Sequence, residues 1–369
     1  MKRAPNAAVA IAAVVGVATV IAVATGTVIG KMRPSTKAPV TVRGVIGSEK
    51  APFFGDPKVQ QVFARHGFKV DVEPAGSRQM ATEMDLARYD FVFPSSAPAA
   101  EKVQRERHLT RGYAPFYSPM AIATFTPVVE VLARAGMARK APDGVWTLDV
   151  KAYLDAVGKG LRWNQIPGNS AYPAPQAVLV TTTHPRDSNS AAMYAAVTSA
   201  VANGGTPVRG EAELAKLAET VAKPFVDQGY LERSTEGPFE NYLATGLNYK
   251  PMVWVYEAQY LGRAIDKRGA VGANTALLYP SPTVLSKHTL VPLTDNGDAV
   301  GRLLSTDPEL AGHAARYGFR TADPAHFAKA LSAAGLPAPP TLVDVVDPPA
   351  YEVLEAMLDG IAKRYEVKQ

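Results

Sequence analysis

The feature that most constrains this chain is an uncharged apolar stretch between two groups of basic residues. Residues 7–30 contain no charged side chain. About 20 apolar residues are enough for a helix to cross the hydrocarbon core of a bilayer. The five flanking basic residues are Lys2, Arg3, Lys31, Arg33 and Lys37. The stretch therefore predicts a transmembrane helix or an export signal, with a short linker that ends at residue 39.

The sequence leaves the fate of this segment open. The stretch is rich in Ala and Val but has no Leu, so it is only modestly hydrophobic. Ala22-Val23-Ala24 has the small-x-small pattern of a signal-peptidase site. We expect a single-pass protein of the cell membrane with residues 40–369 extracytoplasmic, or a secreted protein if the segment is cleaved. A buried helix of a soluble domain is the third alternative, and charge alone does not decide the orientation because basic residues lie on both sides.

The formal net charge of +5 comes entirely from this N-terminal part. The chain has 39 Lys and Arg against 34 Asp and Glu, and the five flanking basic residues account for the difference. Residues 40–369 are thus formally neutral, so we expect no nucleic-acid partner. The chain also has no cysteine, which excludes disulfides and thiolate metal sites. The remaining length is sufficient for a core without such cross-links, and for two lobes.

Strand, turn and helix patterns alternate from residue 40 onwards. Residues 40–47, 68–72 and 89–93 have the apolar β-rich character of strands. Asp56-Pro57 predicts a helix start, because Asp caps a helix and Pro suits its first position. Residues 97–108 form a second helical run. This order predicts an α/β fold with a parallel sheet.

The later chain repeats this alternation less regularly. The patterns predict strands at 177–183, 252–255, 275–279 and 283–293, and helices at 188–202, 212–227, 299–304, 325–334 and 351–364. We expect two α/β lobes. Residues 40–125 and 258–369 would form the first lobe, and residues 126–257 the second.

Sequence motifs of enzymes and metal sites are missing. The six histidines have neither His-x-His nor His-Glu-x-x-His spacing, which argues against a metal site formed by neighbouring residues. Residues 168–172 lack the last glycine of a nucleophile elbow, and no phosphate loop of the Gly-x-x-x-x-Gly-Lys type occurs. We therefore expect no enzyme and no cofactor.

Serine residues recur where a predicted strand passes into a predicted helix. They are Ser48, Ser77, Ser95 with Ser96, and Ser188 with Ser190. Helix N-termini carry unsatisfied N–H groups and a partial positive charge, so several converging ends can hold an anion. Arg78 and Arg186 lie beside two of these turns and would add positive charge. The pattern predicts a site for an oxyanion or for a ligand with carboxylate or hydroxyl groups, although each serine could simply cap its own helix.

Five short motifs together resemble a known family. They are Gly47-Ser48, Ala75-Gly76-Ser77, residues 90–96 (DFVFPSS), residues 252–259 (MVWVYEAQ) and a late tract ending in Gly318-Phe319-Arg320. The sequence is similar here to extracytoplasmic solute-binding proteins of ABC transporters, of the molybdate-binding type. The resemblance covers roughly residues 40–322 and implies a two-lobed class II periplasmic-binding fold after the N-terminal transmembrane helix.

The resemblance also implies where the ligand binds. Ser48 and Ser77 would contact it from the first lobe, and residues 187–190 with Tyr256 from the second lobe or the hinge. Carboxylates beside these positions would repel a dianion unless they pair with Lys50 or Arg78. The residues expected at the ligand site are Ser48, Glu49, Ser77, Arg78, Ser95, Ser96, Arg186, Asp187, Ser188, Asn189, Tyr256 and Glu257.

These observations favour a membrane-tethered solute-binding protein that closes two lobes over a small anionic or zwitterionic ligand. Its partners would be the ligand, the membrane through residues 7–30, and a transporter permease or a sensor. The alternative is a surface interaction or assembly protein that has kept the fold and lost its ligand, with a cleft filled by its own side chains. An enzyme on the same scaffold would need a close acid–base pair, such as Glu257 with a histidine.

Overall fold

Ten strands and fourteen α-helices make up the part of the chain that the structure describes. A computed structural model describes residues 38–229, 231–266, 271–272, 274–337, 341–342 and 344–368. The strands are β1 (Val40–Ile46), β2 (Phe68–Pro74), β3 (Phe91–Phe93), β4 (Tyr113–Phe125), β5 (Ala138–Lys140), β6 (Trp146–Asp149), β7 (Met252–Tyr256), β8 (Thr275–Ser281), β9 (Thr283–Pro292) and β10 (Val345–Val346). The helices are α1 (Ala51–Gly55), α2 (Pro57–Arg65), α3 (Ser77–Thr82), α4 (Ala97–Glu106), α5 (Thr126–Arg134), α6 (Val150–Gly158), α7 (Asn189–Ala202), α8 (Glu211–Val226), α9 (Glu236–Thr245), α10 (Glu257–Asp266), α11 (Asp295–Thr306), α12 (Pro308–Arg316), α13 (Pro324–Ala334) and α14 (Tyr351–Lys368).

The predicted membrane segment, residues 7–30, lies outside the described residues. Among the helices that are described, none combines the length and the hydropathy that a bilayer-spanning segment needs.

The first strand–helix–strand unit follows directly from the local sequence. The Asp56 side chain caps α2 by accepting a hydrogen bond of 2.8 Å from the backbone N–H of Lys58, and Pro57 occupies the first helical position. Gly67 adopts a φ of 82°, which few other residues tolerate, and turns the chain into β2. β1 and β2 then pair in parallel, as the alternating pattern predicts.

The strands form one mixed sheet whose order is β2-β1-β3-β9-β4-β8-β6-β5. β1 is parallel to β2 and β3, whereas β9 is antiparallel to β3 and β4. The long strand β4 changes partners along its length. It pairs with β9 over residues 113–119 and with β7 and β8 over residues 120–125. The two parts of the sheet therefore meet near the middle of β4.

One predicted strand is absent. Residues 177–183 are all described, and they form two isolated bridges but no strand. Side chains take the backbone hydrogen bonds that a strand pairing would need. The Val180 N–H donates to the Tyr153 hydroxyl (3.0 Å), and the Thr182 N–H donates to the Gln228 side-chain oxygen (2.8 Å). Val178 and Val180 are buried as expected, but hydrogen bonds to side chains distant in sequence take the place of further strand pairing.

The other predicted strands and helices are present, with ends that differ by a few residues. The lobe boundaries at residues 125 and 257 stay a prediction, because Lys37–Gln369 forms one compact unit. Contacts also run across those boundaries. β8 pairs in parallel with β6, and α14 packs against α7 and α8.

Buried phenylalanines hold α1 beneath the first part of the sheet. The Phe53 ring lies 5.1 Å from Phe54 and 5.2 Å from Phe116, both in edge-to-face geometry. Such pairs contribute about 0.5–1.5 kcal/mol each beyond the area they bury. Because Glu49 and Lys50 immediately precede α1, this packing also holds those two residues in place.

Candidate functional site

The main-chain groups of Ser95, which follows β3, join the predicted lobes. The Ser95 N–H donates to Ser77 Oγ (3.0 Å), and its carbonyl accepts from Asn189 Nδ2 (2.9 Å) and from Ser286 Oγ (2.5 Å). Asn189 Nδ2 also donates to the Tyr256 hydroxyl (3.1 Å). We call these five residues the Ser95 cluster. It brings together four residues that the sequence assigned to separate lobes, near the point where β4 changes partners.

Helix starts position the two sides of the cluster. Ser96 caps α4 by accepting from the Ala99 N–H (3.3 Å), and Ser188 caps α7 by accepting from the Ser190 N–H (3.2 Å). Asn189 is the first residue of α7, so its side chain leaves the helix end towards Ser95. Two serines predicted as ligand contacts thus cap their own helices.

A buried ion pair lies beside the cluster. The Lys50 side chain is 0% exposed, and its Nζ lies 2.5 Å from Glu49 Oε1, 2.9 Å from Ser95 Oγ and 3.1 Å from His288 Nδ1. Ser95 Oγ also donates to the Glu49 carboxylate. A Cβ at Gly47 would collide with both of these groups, so the folded-back carboxylate requires glycine there. Glu49 is therefore paired with Lys50. This is one of the two pairings that the sequence analysis named as preventing a carboxylate from repelling an anionic ligand.

Burial and neighbouring charges determine the ionisation of these groups. Burial by itself would raise the pKa of Glu49, but Lys50, and then His288, outweigh it and lower the pKa to about 2. Burial, with the Lys50 charge, lowers the pKa of His288 to about 3. Burial also lowers the pKa of Lys50, and Glu49 offsets part of that effect. At neutral pH Glu49 is ionised and His288 is neutral, and His288 Nε2 has no hydrogen-bond partner among the described residues.

Glu257 forms a separate buried pair. Its carboxylate accepts from the Tyr279 hydroxyl (2.6 Å), and from Arg320 Nε and Nη2 at 2.7 Å each. Arg320 belongs to the late tract that resembles the solute-binding family. Glu257 is therefore neutralised away from the Ser95 cluster, although the preceding residue, Tyr256, is part of it.

Of the four remaining predicted residues, Arg78 and Arg186 line the same space as Ser77 and Asn189, whereas Ser48 and Asp187 do not line it. Ser48 is exposed. The Asp187 carboxylate lies 3.0 Å from His184 Nδ1 and 3.9 Å from Arg233 Nε. Arg78 and Arg186 are engaged by carboxylates of α14, the last helix. Burial by itself would lower the pKa of Arg78, but the α14 carboxylates raise it.

Two spaces near the Ser95 cluster differ in their lining: residues of the cluster line the first, whereas the second reaches the cluster only through Glu49. The first, which we call the crevice, has a volume of about 20 Å³, close to that of a single water. Its walls include Ser77, Ser96, Ser188 and Asn189, and α14 covers it with Tyr351, Leu354 and Leu358. The second, which we call the Glu49 cavity, has a volume of about 720 Å³. That volume lies within the usual range of small-molecule sites. Residues that line the Glu49 cavity include Glu49, Asp56, Glu236, Arg263, Arg316 and Phe319.

The sequence analysis missed Ser286, His288 and the role of α14. Ser286 and His288 are two residues apart on β9, so their side chains point to the same face of that strand. The two-residue spacing is visible in the sequence, but no local pattern indicates that this face of β9 lies beside Ser95. In the described part of the chain, no group of three or more Asp, Glu or His residues could hold a metal ion.

No protein-family model matches this chain, and no curated protein is similar to it in sequence. Solved structures are similar in fold. The sulfate-binding protein SubI from Mycobacterium tuberculosis is 16% identical, with a TM-score of 0.50, and the match covers 87% of this chain and 96% of SubI. A putative spermidine/putrescine ABC transporter protein from Listeria monocytogenes is 13% identical, with a TM-score of 0.53, over 88% of this chain and 98% of that one.

The periplasmic binding protein AfuA from Actinobacillus pleuropneumoniae, with fructose-6-phosphate bound, is also similar. It is 11% identical, with a TM-score of 0.52, over 89% of this chain and 99% of AfuA. The chain therefore has the fold of periplasmic solute-binding proteins, as the sequence predicted. The molybdate-binding subfamily remains an expectation. All three proteins are described as binding or transport proteins and none as an enzyme, which agrees with the absence of enzyme motifs.

Proposed function

We propose that this protein is a solute-binding receptor that holds a small polar ligand in the Glu49 cavity, between its two predicted lobes. One observation carries the proposal. Polar residues predicted in separate lobes meet in the Ser95 cluster, and Glu49, which accepts a hydrogen bond from Ser95 Oγ, lines a cavity of about 720 Å³. Similar structures are described with sulfate or fructose-6-phosphate as ligands, so the fold is suited to holding polar solutes.

The Glu49 cavity is lined by charges of both signs, four carboxylates and two arginines, which suits a zwitterionic ligand better than a simple anion. Arg316 is exposed and forms no ion pair with any residue that the structure describes, so it is available for an acidic group. Glu236 is about half exposed and shares Arg263 with Glu240, so it can still accept from an ammonium group. Glu49 adds little net charge because Lys50 neutralises it.

Closure would proceed by bending at the middle of β4. Ligand binding shifts an open–closed equilibrium only through contacts that differ between the two states. Hinges are a few residues that absorb such a change between packed units. Residues 118–120 of β4 separate its pairing with β9 from its pairing with β7, so a bend there moves one part of the sheet against the other. Delivery to a transporter permease or to a sensor would follow closure.

Residues 7–30 would hold the receptor at the cell membrane, with residues 40–369 on the extracytoplasmic side. The support is the uncharged apolar stretch and its basic flanks. The full-length protein should stay in the membrane pellet after an alkaline carbonate wash. Recovery in the soluble fraction, with a mature N-terminus after Ala24, would instead establish a cleaved export signal.

Thermal unfolding with a panel of oxyanions, amino acids, sugar phosphates and short peptides tests the receptor. A ligand at one hundred times its Kd stabilises the folded state by about 2.7 kcal/mol, which raises Tm by several degrees. Arg316→Gln should reduce the stabilisation by an acidic ligand. The matched control is Arg88→Gln, an exposed arginine that does not line the cavity, and it should leave the stabilisation unchanged. If both variants lose the same amount of ligand-induced stabilisation, Arg316 does not bind the ligand.

One observation favours the alternative, an interaction or assembly protein that has lost ligand binding. The polar groups of the Ser95 cluster bond to one another, and the crevice beside them holds no more than a water-sized space. Absence of any stabilisation across the whole panel, from a cooperatively folding sample, would support that alternative and contradict the receptor.

A further inference from the structure

The last helix, α14, lies across the junction of the predicted lobes. Its first turn contacts residues of the first lobe. Lys102 Nζ lies 5.2 Å above the Tyr351 ring, Glu352 pairs with Arg105, and Glu355 pairs with Arg78. Glu352 and Glu355 are three residues apart, so they lie on the same side of the helix.

The middle and the end of α14 contact the second lobe. The Asp359 carboxylate lies 3.1 Å from Arg78 Nη2 and 3.9 Å from Arg186 Nε, so it joins an arginine of each predicted lobe. Glu366 lies 2.8 Å from a second nitrogen of Arg186. One acidic face of a single helix thus contacts both sides of the junction.

The two ends of α14 are held differently. Its apolar side packs on α7 and α8 through Met357, Leu358 and Ile361, each 2% exposed. Arg78, which holds the other end, is 25% exposed, and its partners Glu355 and Asp359 are 17% and 42% exposed. Tyr351, 9% exposed, also packs with buried first-lobe residues such as Met80 and Ala99. Ion pairs that keep contact with water are weak beside buried apolar packing. The first-lobe end is thus held by one buried ring and these ion pairs, against three buried side chains on the other side, so it is the weaker attachment.

We propose that α14 is a clasp that holds the two predicted lobes together over the crevice, and that it releases at its Arg78 end. While Glu355 and Asp359 hold Arg78, and Asp359 and Glu366 hold Arg186, neither arginine is free to bind an external anion. Release exposes the crevice and frees Arg78. No residue of α14 lines the Glu49 cavity, so the clasp would act on the ligand only by holding the predicted lobes in one arrangement. That biological role rests on the proposed receptor function, whereas the contacts that define the clasp do not.

The absence of cysteine makes a distance measurement straightforward. Spin labels at Gln61→Cys on α2 and Lys216→Cys on α8, both exposed positions, report the separation of the predicted lobes in the full-length protein. The test variant is Glu355→Gln with Asp359→Asn, which removes both carboxylates from Arg78. The control is Glu352→Gln on the same helix, whose pair with Arg105 is more than half exposed on both sides.

We expect the double variant to add a population at longer distance and the control to match the parent distribution, with no ligand present. Identical distributions in all three proteins would overturn the clasp. Arg78→Gln removes the same two ion pairs from the opposite side, so it serves if the double variant fails to fold.

The receptor is tested separately by the ligand panel. Lobe separation without any ligand effect would keep the clasp and reject the receptor, and the reverse result would reject the clasp alone.

Discussion

Replacing Lys50 with methionine tests the buried ion pair directly. Lys50→Met keeps most of the side-chain volume but removes the ammonium group. Glu49, whose side chain is 7% exposed, is then left buried without its main partner. Ser95 Oγ and His288 Nδ1 each lose a neighbour as well, at 2.9 and 3.1 Å.

Two figures bear on the cost, and the second is the net effect of burial and all neighbouring groups on Glu49. Removing one partner of a buried ion pair destabilises proteins by about 3–5 kcal/mol. The pKa of Glu49 falls from 4.5 to about 2 in the folded protein. At about 1.4 kcal/mol per pKa unit, this change corresponds to about 3 kcal/mol. We therefore expect Lys50→Met to lower the free energy of unfolding by about 3–5 kcal/mol at pH 7.

Equilibrium unfolding in urea measures this quantity. The double variant Lys50→Met with Glu49→Gln should be less destabilised than the sum of its two single variants, because it leaves no uncompensated charge. Lys151→Met is the matched control. Lys151 is 74% exposed and pairs with Asp155, so its loss should change stability by no more than about 0.5 kcal/mol. The reasoning is refuted if Lys50→Met lowers the free energy of unfolding by less than about 1 kcal/mol. It is also refuted if the effects of the two single variants simply add up to the effect of the double variant.

Two further predictions concern the same region. Ser77→Ala leaves the buried Ser95 N–H without its acceptor, so it should lower the free energy of unfolding by about 1–3 kcal/mol in urea, whereas no change would mean that water replaces the hydroxyl. The pKa of His288 falls from 6.5 to about 3, so the folded protein keeps the ring neutral where the unfolded chain protonates it. The neutral His288 ring makes its full contribution to the free energy of unfolding above about pH 6.5. As the pH falls towards 3, that contribution decreases by up to about 1.4 kcal/mol per pH unit. His288→Gln should therefore show a shallower fall in stability between pH 6.5 and 4.5 than the parent protein, and parallel curves would contradict a buried neutral histidine.

Elements whose signals are local were predicted well. The Asp56-Pro57 start of α2 and the alternation of β1 depend on residues within a few positions of one another, so sequence patterns were enough to find them. The strand expected at residues 177–183 failed because Tyr153 and Gln228, distant in sequence, take its backbone hydrogen bonds. No local pattern carries that information.

The candidate site also combines features that local sequence patterns predicted with features that depend on distant parts of the chain. Serines at strand-to-helix turns were recognisable, and Ser77, Ser95, Asn189 and Tyr256 do converge. Their ligand role stays a prediction. The engagement of Arg78 by α14 could not be predicted, because its partners lie 277 and 281 residues further along the chain.

The sequence by itself determined the apolar segment with its basic flanks, the neutral remainder, the lack of cysteine and the α/β order, and its short motifs carried the resemblance that implied a solute-binding fold. Tertiary structure alone decided which charges meet. Lys50 pairs with Glu49 beneath Ser95, Arg320 neutralises Glu257, and α14 occupies both arginines expected at the ligand site. The physical reason is that helix and strand signals act over a few residues, whereas the partner of a charged side chain depends on how distant segments pack.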